Sequence, residues 1–151
     1  GQVSMDEFNR IFAQKLEIPE LKWQDYYLEA VTPIQEMHAL VRWAASQYQV
    51  GLLTNLMPGI LEQLKQRQLV PDVPYHAVVD SSAVGAIKPE AKIYEIAEEK
   101  AGRPATETLL IDDSRANLMP AEHRGWHVLW FNDYNPSESV KRVQKVLEPA
   151  D

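Results

Sequence analysis

The chain contains no cysteine, which excludes a disulfide framework, a thiolate metal site and a cysteine nucleophile. It also lacks any apolar run near the ~20 residues that a membrane-crossing helix needs. Its first residues, which include Asp6 and Glu7, show no secretory signal pattern. Positive charge is in deficit: 15 Lys and Arg stand against 22 Asp and Glu, for a net charge of −7. That balance disfavours a nucleic-acid backbone or an anionic membrane as partner. Neither an internal repeat nor a low-complexity stretch is present. What remains is an ordinary globular composition, 45% hydrophobic and 25% charged over 151 residues. A chain of this length fits one domain and buries about two-thirds of its unfolded surface. The absence of cysteine fits a reducing compartment, and a cytoplasmic location is the expectation.

The most informative stretch is Leu109-Leu110-Ile111-Asp112-Asp113-Ser114. Three apolar residues running into two carboxylates suit a strand buried on both faces of a parallel sheet. Acidic residues at such a strand end lie on the carboxyl edge, where open α/β folds place their ligands. Two adjacent carboxylates repel each other and call for a cation, for which a hard ion such as Mg²⁺ is suited. The plainer reading is that Asp113 or Ser114 caps the next helix.

The elements around that stretch follow from period and punctuation. Residues 1–32 read as helical. Ser4-x-x-Glu7 forms a capping box, and Met5, Phe8, Ile11, Phe12 and Leu16 keep a helical period up to Pro19. A second helix spans Leu21 to Ala30, with Trp23, Tyr26 and Tyr27 read as packing residues rather than a substrate pocket. Thr32, Pro33 and Gln35 predict a second capping box, opening a helix with Ile34, Met37, Val41 and Ala44 on one face. His38 on that helix is read as structural. Strands then alternate with helices: Val50–Leu53, helix Ile60–Leu69, His76–Val79, helix Glu90–Lys100, Leu109–Asp112, helix Leu118–Arg124, Trp126–Phe131, helix Ser137–Leu147. Gly125 closes the third of those helices. Such alternation predicts an α/β fold with a parallel sheet and right-handed crossovers.

Chemistry-bearing residues recur just past the strand ends. Thr54 follows the first strand, Lys88 follows the second by a loop, and Asp112 and Asp113 follow the third. On one sheet edge, a hydroxyl, an ammonium and an acidic pair make a site for a doubly charged oxyanion. A metal there would neutralise charge that develops during group transfer.

Three segments carry a family resemblance: Gly51-Leu52-Leu53-Thr54-Asn55, Gly85-Ala86-Ile87-Lys88-Pro89-Glu90-x-x-Ile93-Tyr94, and Leu110-Ile111-Asp112-Asp113-Ser114-x-x-Asn117. Together they resemble the second, third and fourth motifs of the haloacid dehalogenase (HAD) superfamily, in order and at ordinary spacing. The resemblance covers nearly the whole chain. It implies a HAD-like Rossmannoid core over residues 33–151, a parallel sheet flanked by helices, with residues 1–32 as part of a helical cap. It also implies roles. Thr54, helped by the Asn55 backbone, would bind a phosphoryl oxygen, and Lys88 would balance the nucleophile and the phosphoryl group. Asp112 would bind Mg²⁺, with Asp113 supporting that site. Most family members are phosphohydrolases acting through an aspartyl-phosphate, and a minority displace halide without a metal. The implied ligand is therefore a small phosphorylated or other anionic molecule. A response-regulator receiver also uses Asp, Thr and Lys on such a sheet, but its acidic pair belongs on the first strand.

The family's first motif, Asp-x-Asp-x-Thr, is the departure. It carries the nucleophile on the central strand before the cap, and no such stretch occurs here. Asp6 lies in a capping box with Phe8 two positions on, which is the wrong setting for that nucleophile. The chain reads as if it starts inside the cap, truncated ahead of Gly1. Covalent phosphoryl transfer then lacks its attacking group, and loss of such a group can cost on the order of 10⁶ in rate. The missing strand belongs between those ending at Thr54 and Asp112. Its absence leaves a gap of roughly twice the ~4.8 Å strand spacing. Direct pairing of the two strands, a homo-oligomer or a partner segment are the ways to close it. The expectation is a phosphatase-type domain that is inactive in isolation, with a non-catalytic phosphate- or Mg-binding module, or a hydrolase completed by a partner chain, as alternatives.

Overall fold

The computed structural model describes residues 3–148. Its first helix, α1 (Met5–Lys15), starts as Ser4 dictates: the Ser4 hydroxyl accepts a hydrogen bond from the Glu7 N–H at 3.2 Å. The return arm of the capping box does not form, since the Glu7 carboxylate faces Arg10 at 4.0 Å instead. Helix α2 (Trp23–Ala30) packs through aromatics. Trp23 stacks on Tyr27 with ring centroids 4.9 Å apart, and Phe8 meets the Trp23 ring edge-on at 5.7 Å. Tyr26 stays 66% exposed.

The capping box expected at Thr32 is overturned. Helix α3 spans Gln35–Ala45, and its cap is Ile34, with no side-chain cap bond. The helix starts two residues later than a Thr32 cap requires. The backbone is extended at Val31 and at Ile34. Gln35 thereby becomes the first helical residue instead of the third, the position from which it would answer Thr32. His38 is buried, and its ring nitrogen lies 3.3 Å from the Leu69 carbonyl, a structural role.

From residue 51 the expected alternation holds, with ends shifted by a few residues. The order is β1 (Gly51–Thr54), α4 (Ile60–Gln66), β2 (Ala77–Asp80), α5 (Ser81–Val84), α6 (Ala91–Ala101), β3 (Leu109–Asp112), α7 (Arg115–His123), β4 (His127–Trp130) and α8 (Pro136–Leu147). Helix α4 stops short of Leu69 because Gln68 turns left-handed, at φ 57°. Helix α7 starts three residues before Leu118, behind an extended Ser114; its polar first turn carries no apolar period to signal it. Gly125 closes α7 at φ 88°, a conformation that costs glycine little. Among the described residues, no helix is long and apolar enough to cross a membrane.

Both strand pairs are parallel, as expected, but they do not form one sheet. Strand β1 pairs with β2, placing Thr54 opposite Asp80, and β3 pairs with β4, placing Asp112 opposite Trp130. No ladder joins β1 to β3, so direct pairing does not close the central gap. Side chains bridge what the backbone does not. One cluster draws on both pairs and on α6 and α7, through Val79, Ile93, Tyr94, Leu110, Leu118 and Trp126, with Leu53 packed against it. Its neighbour in β3, Ile111, points into a second cluster formed with α3 and α8 around Leu40, Phe131 and Val143. Adjacent residues of β3 thus feed opposite layers, as a doubly covered strand requires. A third cluster ties α2 to α4 through Leu28, Ile60 and Leu64.

Because Ile93 is fully buried in the layer shared by both strand pairs, Ile93→Ala should destabilise the chain by about 2–5 kcal/mol. Urea unfolding measures it, and a cost below about 1 kcal/mol would contradict the packing described.

Candidate active site

Asp112 closes β3 and is the most connected polar residue of the chain's central rim. Its Oδ1 accepts from the Ser114 N–H at 2.8 Å and from Asn117 Nδ2 at 3.0 Å. Its Oδ2 accepts from Lys88 Nζ at 2.6 Å. Both charged side chains are buried, at 10% exposure for Lys88 and 5% for Asp112. Such a pair survives burial when the remaining lone pairs are also satisfied, and Asp112 meets that condition.

The backbone of Lys88 is held from the other strand pair. Its N–H donates to Asn55 Oδ1 at 2.8 Å, and Asn55 Nδ2 donates to its carbonyl at 2.9 Å. Asn55 directly follows Thr54, the last residue of β1. The carboxyl ends of β1 and β3 therefore meet at one rim through Lys88, as the motif spacing predicts. The Thr54 Oγ1 atom is buried and has no hydrogen-bond partner. A buried hydroxyl left unpaired costs about 1–3 kcal/mol, so this one marks a place for an acceptor.

Asp113 does not join the network. Its residue is exposed, and its recorded contact is through its carbonyl, which accepts from the Trp130 indole at 2.7 Å. The Asn55 side-chain amide holds the Lys88 backbone. Two residues without an assigned role prove structural to the site. Asn117 grips Asp112, and Tyr94 Oη donates to the Asn117 carbonyl at 2.6 Å. Both fall inside the motif segments, but sequence spacing alone does not reveal that α6 and α7 bring them together. The cap on α5 is likewise a strand-end carboxylate: Asp80 Oδ1 accepts from the N–H and hydroxyl of Ser82.

Burial alone pushes the Asp112 carboxyl up. The hydrogen bond from Lys88, the Ser114 N–H, the ammonium charge and the Asn117 amide outweigh it and hold the group below the usual carboxylate range. Asp112 is therefore ionised at neutral pH. Tyr94 moves the other way, pushed up to about 12 by burial and by the Asp112 charge, so its phenol remains a hydrogen-bond donor.

Among the described residues, no group of three or more His, Asp or Glu is placed to hold a metal ion. Mg²⁺ commonly takes only one or two carboxylates and completes its octahedron with water and phosphate oxygens. Both Asp112 oxygens already accept hydrogen bonds, and it is the remaining lone pair of Oδ2 that Asp112 would offer a metal, the other ligands coming from oxygens other than this rim's side chains.

Fold and rim together define a HAD-like hydrolase fold. Of solved structures, a predicted HAD-like family hydrolase from Porphyromonas gingivalis superposes with a TM-score of 0.77 at 24% identity, over 99% of this chain and 76% of that one. A HAD family enzyme from Bacteroides thetaiotaomicron, in complex with magnesium and inorganic phosphate, superposes with a TM-score of 0.74 at 20% identity, over 87% of this chain and 71% of that one. Among curated proteins, the chain is 23% identical over 130 residues to pyrimidine 5'-nucleotidase of Escherichia coli, covering 82% of this chain and 57% of that protein. It is 24% identical over 111 residues to (S)-2-haloacid dehalogenase of Pseudomonas fluorescens, covering 74% of this chain and 48% of that protein. The chain spans about half the length of these curated relatives. No protein-family model matches it. The superpositions show a HAD-like fold.

The buried pair makes two predictions. Removing the cation in Lys88→Met strands the Asp112 charge and should cost on the order of 3 kcal/mol at pH 7, with Asp112→Asn in the same chain recovering part of it. Equal losses in single and double variants would exclude the coupling. The pH dependence has a definite sign. The Asp112 carboxyl lies lower in the folded than in the unfolded state, so its contribution is complete above the unfolded value of about 3.9 and is lost as pH falls through the folded value. Wild type should therefore lose more stability on acidification than Lys88→Met, and identical acid limbs would contradict this.

Proposed function

We propose that the Thr54–Asn55–Lys88–Asp112 rim binds the phosphoryl group of a small phosphorylated molecule, as part of a phosphatase-type HAD-like hydrolase. The observation that carries this reading is the buried, unpartnered Thr54 hydroxyl at the end of β1, next in the chain to Asn55, which holds the backbone of the ion-paired Lys88. A hydroxyl donor and a fixed cation suit phosphoryl oxygens better than they suit a neutral ligand. The magnesium and phosphate complex of the Bacteroides enzyme supports the same choice. In this reading Thr54 donates to one phosphoryl oxygen and Lys88 offsets the charge of the group. Asn55 and Asn117 hold Lys88 and Asp112 in register, and Asp113 lends negative charge outside the rim. Asp112 would hold Mg²⁺, which when bound neutralises phosphoryl charge. Helices of residues 1–32 would form part of the lid that selects the substrate.

Among the described residues, Asp112 is the carboxylate in contact with Lys88, and that oxygen is committed to the ion pair. An attacking carboxylate free of it is not among the contacts of the rim, so residues 1–151 alone bind phosphate without turning over its esters. The dehalogenase-type reaction comes second in this reading, since it makes no use of Asp112 as a metal ligand.

Calorimetry with inorganic phosphate, with and without Mg²⁺, is the direct test. Binding should weaken at least about tenfold in Thr54→Val, as loss of a hydrogen bond to a charged group implies. No binding at tens of millimolar phosphate, a range well above weak ligand affinities, would overturn the reading. Hydrolysis of para-nitrophenyl phosphate by wild type that vanishes in Asp112→Asn would overturn the claim of inactivity.

A further inference from the structure

Beyond the ion pair, the same rim carries a cation that the phosphate reading does not use. Strand β4 ends at Trp130, in register with Asp112 and one strand spacing of ~4.8 Å away. Trp130 is pinned twice: its indole N–H donates to the Asp113 carbonyl at 2.7 Å, and Arg142 Nη2 donates to its own carbonyl at 2.7 Å. Over its ring sits Arg115, with Cζ 4.6 Å from the centroid. Arg115 directly follows Ser114, whose N–H holds Asp112, and it is exposed. Among the described residues its guanidinium enters no ion pair, not even with the exposed Asp113 two positions before it. Folding does not account for this cation. It is the first residue of α7, the end of a helix where positive charge is disfavoured, and a stack on a solvated ring returns little. The stack nonetheless gives a side chain of many rotamers a fixed place beside the rim.

We infer that Arg115, held over Trp130, takes a second anionic group of the bound molecule, which is therefore a phosphorylated compound carrying another phosphate or carboxylate at its far end. The inference rests on the phosphate reading of the Thr54–Lys88 rim and adds the class of substrate to it. Spacing sets the kind of molecule. Thr54 and Lys88 hold one group between β1 and β3, and Arg115 lies on the β4 side of β3. The two anions therefore stand about two strand spacings apart, ~10 Å. Phosphates joined directly fall short of that distance, and an extended spacer of about six carbons reaches it. The chemistry favours an oxyanion over a neutral polar group, because a guanidinium binds carboxylate and phosphate through paired N–H donors. A stacking ligand suits the place less well. Arg115 covers the Trp130 ring and the ring packs on the core cluster, so it serves as a support and not as a surface for another ring.

Calorimetry on the full chain in about 0.15 M salt tests this with hexyl phosphate, 1,6-hexanediol bisphosphate and 6-phosphonooxyhexanoate. Wild type should bind the bisphosphate or the carboxylate at least about tenfold more tightly than hexyl phosphate, and the tighter of the two names the far group. Arg115→Gln should erase that gain and leave hexyl phosphate binding unchanged, a split that loss of a merely structural contact does not produce. Lys65→Gln, which removes the same charge from the last turn of α4, should keep the gain. Equal binding of all three probes would overturn the inference. So would a gain that survives Arg115→Gln, or one that Lys65→Gln also abolishes, which would mark it as bulk charge. Arg115→Gln weakening hexyl phosphate as much as the other two would overturn it as well. Hexyl phosphate that does not bind would remove the phosphate reading and this inference with it, whereas hexyl phosphate that binds as tightly as the doubly charged probes removes this inference alone.

Discussion

The Lys88–Asp112 ion pair is the constraint on which the rest of this structure depends. Two charges taken out of water in this way gain little unless every remaining valence is met. Asp112 meets it with the Ser114 N–H and the Asn117 amide, and Lys88 is steadied by the Asn55 side chain on its backbone. The pair and its supports come from three places in the chain. The loop after α5, the residue after β1 and the first turn of α7 are all drawn to one point. The pair is also a polar tie between the two halves of a sheet whose strands do not bond across the middle.

That arrangement explains how a divided sheet holds its shape. The hydrophobic layer under α6 and α7 is continuous where the hydrogen-bond ladder is not, and Tyr94 joins the two roles. Its ring packs edge-on against Trp126 in the core, and its hydroxyl fixes the carbonyl of Asn117, which in turn holds Asp112. A periphery of ordinary ion pairs adds to this. Arg124 reaches Glu98 at 2.6 Å, and the Trp126 indole donates to the same carboxylate. The rim is thus rigid around a fixed cation and a buried hydroxyl, which is the preorganisation that anion binding favours.

Much of this was legible in the residues. The apolar run before Asp112 announces a buried strand, and the recurrence of polar residues at strand ends announces a rim. Thr54, Lys88 and Asp112 fall where that reasoning places them. Asp113 follows Asp112 at the same strand end, and it is exposed. The capping box at Thr32 fails because the backbone is still extended at Ile34, so the helix starts two residues past the place that cap would serve. The partnership of Tyr94 with Asn117 was hidden for a different reason. It depends on how two helices pack across the sheet, and no spacing within either helix encodes it. Whether β1 and β3 pair with each other is not encoded in either strand, and the structure shows that they do not.

The central claim, that one rim gathers these groups to receive an oxyanion, is tested most directly by mapping amide chemical shifts during a titration with inorganic phosphate. The account predicts that the largest changes fall together on Thr54, Asn55, Lys88 and the Asp112–Ser114 turn. Changes confined to other surfaces, or none at saturating phosphate, would contradict it.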